Sequence, residues 1–353
     1  MDFKKFVVSR EPGVYQGWPD LVRTPSGKLL CVFTECPHHK NRSWTRLMLV
    51  ESTDNGHSWS AKRELASGRV ETDGFYWNCA RFSLLPDGSV AMIVDRSWGD
   101  FLHEIQIRSE VCLFRTVDDG KSWSGPTPLP VRGIVPDKLT TLDTGRQLIA
   151  AHREVDGKLA VFAHFSNDGG KSWSPEITVA RDHRYNLCEA AMLPLGDGKV
   201  VCFMRENSLA GLDCKKVISY DGGESWGEVV DFPLPGCHRP TAGQLSDGTV
   251  LLTYRFCQGG KPGWGQCAQN LFAAVFDVDS ALGAIRSDSW ARIIPVDYDR
   301  AHAADLGYSG WAELPDGSVY LVSYIVDDAV DCGQIRGYAI PGAALHPFPA
   351  VGV

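Results

Sequence analysis

The chain has 353 residues, an apolar fraction of 44% and a formal net charge of −8. That length suits one large all-β domain, and the acidic balance argues against nucleic acid or an anionic membrane surface as a partner, since both need a basic face. Nothing in the sequence approaches a membrane span, the start MDFKKFVVSREPGVYQGW has no apolar core of signal-peptide length, and eleven cysteines are scattered without paired spacing, as expected of a reducing, cytoplasmic setting without disulfides or a structural zinc site.

In chain order, the first hairpin expected is LVRTPSGKLLCVF, turning at Gly27, followed by the polar box STDNGHSW at 52–59. SLLPDGSVAMIV turns at Gly88 and precedes TVDDGKSW at 116–123; TTLDTGRQLIAA turns at Gly145 and precedes SNDGGKSW at 166–173. MLPLGDGKVVCF turns at Gly198 and precedes SYDGGESW at 219–226, while GQLSDGTVLLTY (Gly248) and AELPDGSVYLVS (Gly317) are not followed by a box. Each box reads Ser/Thr-x-Asp-x-Gly-x-Ser-Trp: the Asp side chain can accept backbone N–H bonds within a turn, Gly permits positive φ, and Trp packs the turn down. The turn glycines are 61, 57, 53, 50 and 69 residues apart, which fits six four-stranded blades. The expectation is an all-β, six-bladed β-propeller with one domain over 1–353, a sandwich or solenoid being the weaker alternative.

In such a blade the inner strand begins at the face opposite its Gly turn, and the next strand ends there. Nine residues before each turn Gly stand Trp18, Cys79, Pro136, Glu189, Arg239 and Tyr308; seven after stand Thr34, Asp95, His152, Arg205, Arg255 and Tyr324. Asp20, His38, His39, Arg81 and His238 lie close by in sequence. Polar residues at strand ends often only satisfy backbone groups. An acid, a base and a phenol in one register of three consecutive blades read instead as a site. The boxes belong to the turn face and read as scaffold.

Boxes of this kind on six blades resemble the sialidase (neuraminidase) superfamily over essentially the whole chain. CEAAMLPLGDGKVVCFMR (188–205) is similar to the sialidase segment carrying a glutamate and a carboxylate-binding arginine, which maps to Glu189 and Arg205. YSGWAELPDGSVYLVSY (308–324) is similar to the segment with the nucleophilic tyrosine, which maps to Tyr308. Two of the family's three arginines have no counterpart: QGWPDL puts Gly17 in the first place, and CAQNLFAAVF offers Gln269 and Asn270 in the third. The family's acid/base aspartate is also not evident, FTECPHHKNRSW offering Glu35, His38 and His39.

The resemblance implies a cofactor-free exo-glycosidase for an acidic terminal sugar. Sialic acid carries a carboxylate on its anomeric carbon, so a neutral tyrosine avoids the repulsion that a carboxylate nucleophile would meet. Tyr308 would attack, Glu189 would take its proton, and His38 or His39 would be the acid/base. Arg205, Arg239 and Arg255 would hold the anion; His238, Trp18, Asp20 and Arg81 complete the expected binding set. Trp77, Tyr76 and Trp311 are further stacking candidates, though somewhat better suited to a core. The same residues could serve a uronate-specific lyase or a glycan-binding propeller without catalysis, and fold alone does not choose among them.

Overall fold

The computed structural model describes residues 3–100, 103, 105–258, 268–328 and 332–347; Cys267 lies outside them. Six antiparallel sheets follow one another along the chain, and the expected six-bladed propeller is what forms. Blade 1 spans 15–69, blade 2 75–128, blade 3 140–180, blade 4 187–235 and blade 5 237–298. Blade 6 takes three strands from 306–340 and its outermost from the N-terminus, Lys4–Ser9 pairing with Gln334–Ile340 so that Lys4 faces Ala339. This closure ties the two ends of the described chain into one sheet and covers an edge that would otherwise stay unpaired.

The polar boxes sit where expected, between the third and fourth strands of blades 1 to 4. In the first, Asp54 accepts from Ser58 N at 2.9 Å and Ser58 Oγ at 2.6 Å, while Ser52 Oγ accepts from Gly56 N at 2.9 Å. The Asp-to-Ser bonds recur at Asp118, Asp168 and Asp221. Blade 5 replaces the box with a short helix, Val278–Leu282, whose preceding Asp277 accepts from Ser280 N.

Apolar burial is divided by blade. Among the described residues there are six core clusters, one for each interface between neighbours. Between blades 4 and 5, for example, Phe203, Phe232 and Phe276 pack with ring centroids 4.8 to 5.9 Å apart. Each sheet thus buries both faces against its neighbours, which is why most strands read as continuous apolar runs rather than alternating ones. The hydrophobic effect fixes the ring and leaves its axis to polar residues.

Two inner strands are irregular. Blade 2 divides its inner strand into Phe75–Trp77 and Arg81–Leu84, both paired to Val90–Asp100. Blade 3 keeps only Thr140–Thr141 and a bridge from Ile134 to His152, as expected where Pro136 supplies no ladder N–H.

Candidate active site

The register found by counting back from the turn glycines has a backbone cause. Four inner strands break their ladder at the same place: between Gly17 and Asp20, Cys188 and Ala191, His238 and Thr241, and Gly307 and Gly310. The residue bulged out in each is Trp18, Glu189, Arg239 or Tyr308, at φ of 55°, 48°, 48° and 49°. Blade 3 has the same feature one residue earlier than counted, at Val135 (φ 47°) rather than Pro136. A bulge with its first residue in the left-handed region usually holds glycine; with a larger side chain the strain is of order 1–3 kcal/mol at each position. The return is geometric: a bulge takes a side chain out of strict alternation and re-aims it.

Glu189 and Tyr308 meet across the axis from blades 4 and 6, the tyrosine hydroxyl donating to Glu189 Oε1. Arg205, on the neighbouring strand of blade 4, donates from Nη1 to both carboxylate oxygens at 3.0 and 3.1 Å. His152 Nδ1 accepts from Glu189 N at 3.2 Å. The Arg239 and Arg255 guanidinium carbons lie 5.4 and 5.6 Å from the centroid of the Tyr308 ring. Burial would raise the Glu189 carboxyl, but Arg205, Arg255 and Arg239 outweigh it and hold it at about 2. Burial and the adjacent Glu189 charge push Tyr308 well above its usual range, and burial among arginines drops His152 to about 4. The resting site is an ionised glutamate, a neutral tyrosine and three guanidinium groups, with net positive charge.

A second group adjoins the first. Asp305, just before the inner strand of blade 6, accepts from Tyr324 OH at 2.8 Å and from Tyr15 OH. His39 Nδ1 lies 2.5 Å from Oδ2, the oxygen that the Tyr15 hydroxyl also meets, while Tyr324 takes Oδ1. Tyr324 and Tyr308 have ring centroids 6.3 Å apart, and Trp18 is 5.7 Å from Tyr324 and 5.1 Å from His39. Burial opposes the Asp305 charge, yet His39, Tyr15 and Arg255 hold it at about 2. Burial keeps His39 below its ordinary value despite Asp305.

The expected residues are distributed as follows. Tyr308, Glu189, Arg205, His39 and Trp18 come together, Trp18 lying buried beneath the Arg42 guanidinium at 3.7 Å. His38 Nδ1 accepts from Lys40 N at 3.3 Å, and its ring lies edge-on to Tyr15 with centroids 5.6 Å apart. Arg239 and Arg255 are fully buried, and both donate to backbone carbonyls: Arg239 to Val135 and Pro136, Arg255 to Leu306. What they give the site is charge. His238 is buried with its Nδ1 3.4 Å from Arg255 Nη2, and burial beside Arg205 and Arg255 keeps it neutral.

Asp20 and Arg81 correct the expectation placed on them. Two residues beyond the bulge, each inner strand enters a deeper layer, and there Asp20 accepts from Phe82 N at 2.7 Å while Asp137 accepts from Met192 N at 2.7 Å. Arg81 lies 3.5 Å from Asp20 and reaches over the axis to Thr241 Oγ1 at 2.7 Å and Ser309 O at 3.3 Å. These are ties between inner strands. They border a cavity of about 370 Å³ with Lys138, Gln244 and Trp311, on the turn side of the channel, so Trp311 is also on the wrong side to stack on a sugar at Tyr308. Trp77 and Tyr76 are buried in the wall of blade 2. Asp305, Tyr15 and Arg42 carry no signal in the sequence; only Tyr324 does, by its place seven residues after Gly317.

Residues 71–258, more than half of the chain, match the family model described as BNR repeat-like domain. The chain belongs to this BNR repeat-like family. No curated protein matches the sequence. Among solved structures, this BNR-repeat propeller is similar to a protein of unknown function from Dyadobacter fermentans at a TM-score of 0.76 and 20% identity, covering 97% of this chain and 98% of that one. It is also similar to a Hadza microbial sialidase (TM-score 0.68, 17% identity, 94% of this chain and 66% of that one). A third is a leech intramolecular trans-sialidase (TM-score 0.65, 14% identity, 95% and 69%). At these identities the likeness is one of fold, and the sialidase-type propeller expected from the repeats is the fold found.

Proposed function

We propose that the protein is an exo-acting glycoside hydrolase of sialidase type, taking a small or oligomeric glycan whose terminal sugar carries a carboxylate. The observation that carries this reading is the Tyr308–Glu189 hydrogen bond inside a cluster of three arginines. A phenol attacks an anomeric centre only if its proton leaves as the bond forms, and Glu189 is placed to accept it. In the resting site the arginines make Glu189 a weak base. An arriving carboxylate shares their field, which raises the basicity of Glu189 only when substrate is bound and couples binding to activation of Tyr308. The Tyr324 ring lies 6.3 Å from that of Tyr308, and Trp18 packs against Tyr324 at 5.7 Å.

The second reading is elimination from a uronate, favoured by the imidazole–carboxylate pair of His39 and Asp305 near two tyrosines, groups able to move a proton across a sugar ring. A glycan-binding propeller without turnover is the third. One experiment separates them: wild type and Tyr308→Phe are incubated with sialylated and uronate-containing oligosaccharides, and products are read by mass and ultraviolet absorbance. Released sialic acid, lost in the variant, supports the hydrolase; an unsaturated, absorbing product supports the lyase; binding without product supports the third.

A further inference from the structure

We propose that His39, oriented by Asp305, is the acid/base that protonates the leaving group and then activates water at the Tyr308 site. Its chemical role rests on the hydrolase reading above. The sequence offered two adjacent histidines for this task, and the geometry separates them. His38 accepts from Lys40 N through Nδ1 and packs its ring edge-on against Tyr15, whereas His39 is tied across 266 residues to a carboxylate at the entrance of the Tyr308 strand. Asp305 in turn is fixed by two phenols from different blades, Tyr15 and Tyr324. A part-buried carboxylate receiving three side chains holds one imidazole in one orientation. With Nδ1 turned to Asp305, proton exchange belongs to Nε2. Arg42 also fixes the segment, its Nε donating to His39 O at 3.1 Å.

The proton and electron count closes. In the first half, Tyr308 Oη bonds to the anomeric carbon, its proton passes to Glu189, and the glycosidic electron pair leaves on the departing oxygen, which takes the Nε2 proton of the His39 imidazolium. In the second half, water attacks the same carbon and gives a proton to Nε2, while Tyr308 departs and recovers its proton from Glu189. The net change is glycoside plus water to sugar plus alcohol. Asp305 stays ionised throughout and acts as a positioning residue. The charged and titratable groups facing His39 are Asp305 from the lead-in to blade 6, Arg42 and Tyr15 from blade 1, Tyr324 from blade 6 and Arg255 from blade 5. His38 is its neighbour in sequence.

Leaving-group dependence tests the assignment. Sialyllactose, whose sugar leaving group needs a proton, and para-nitrophenyl α-sialoside, whose phenolate does not, are compared in wild type, His39→Gln and Asp305→Asn. The expected result is a loss of about 10²- to 10⁴-fold on sialyllactose and a far smaller loss on the aryl sialoside, whereas Tyr308→Phe loses both. Equal losses on the two substrates, or none, would overturn the role of His39 and leave the hydrolase reading intact. Turnover of neither by wild type would remove the hydrolase reading and the role with it. A substrate-free measurement keeps the pairing itself open to refutation: the Cε1 proton of His39 is titrated by NMR in wild type and Asp305→Asn. Loss of the carboxylate should move its pKa down, since Asp305 is the group that favours the imidazolium, and an unmoved titration would sink the proposal. His39→Gln, which keeps Asp305 and its two phenol partners, guards against misfolding of Asp305→Asn.

Discussion

Replacing Glu189 by Gln isolates the electrostatic core of the site. The carboxylate is buried, touches Arg205 at 3.0 Å and feels Arg239 and Arg255 as well. Its folded value of about 2 lies below the ordinary 4.5, and at about 1.4 kcal/mol per pH unit that difference corresponds to roughly 3 kcal/mol of folded-state stability at neutral pH. The figure agrees with the ~3–5 kcal/mol lost when one partner of a buried ion pair is removed. A depressed carboxyl stabilises the fold fully above its unfolded value and loses that contribution as pH falls toward its folded one. Between pH 7 and pH 3.5 about 1.4 kcal/mol of it should disappear. Urea unfolding of wild type and Glu189→Gln at both pH values should therefore show a gap of about 3 kcal/mol narrowing to about 2. A variant as stable as wild type at pH 7, or a gap that does not narrow on acidification, would refute the view that the arginines hold Glu189 ionised.

Three other outcomes follow from the same geometry. Tyr308→Phe should keep the fold, since Arg205 still pairs with Glu189, while turnover falls on the order of 10³-fold or more; retained turnover would remove Tyr308 as nucleophile. Arg81→Met should destabilise by about 3 kcal/mol, because Asp20 is left buried without its cation, yet leave KM for an acidic substrate unchanged; a raised KM would restore Arg81 to the binding set. Asp95 presents the opposite sign to Glu189: burial raises it to about 6 from 3.8, so it destabilises the fold at neutral pH and ceases to do so as pH falls below 3.8. Asp95→Asn should stabilise by up to about 3 kcal/mol at pH 7 and by little at pH 4, which denaturation at the two pH values would check.

The pH profile of kcat/KM should also separate the two proton carriers. Glu189 must be ionised and His39 protonated, so activity should hold above about pH 2 and decline as pH rises through the His39 value, which burial sets below 6.5. Asp305→Asn should move that alkaline limb to lower pH. A limb that stays in place would assign the acid to another group.

The ring is legible from local residue patterns alone. Its turn glycines and Asp boxes act within a few residues: Asp54 bonds Ser58, and Gly56 adopts a φ of 85°, so each copy states its own conformation and the spacing counts the blades. The register of Glu189, Arg239 and Tyr308 was legible for the same reason, being a fixed distance from a local turn. What that register means emerges only in the folded ring. The left-handed bulge repeats with Trp, Val, Glu, Arg or Tyr at its first position, and no residue pattern announces it. Whether Arg81 meets a ligand or ties two strands depends on its standing two residues past the register position of Cys79, in a different layer of the channel. The Asp305 group joins residues 266 to 290 positions apart, and closure by Lys4–Ser9 joins the first described strand to the last. Contacts across a closed ring pair residues that nothing local correlates, so they exist only once every blade is in place.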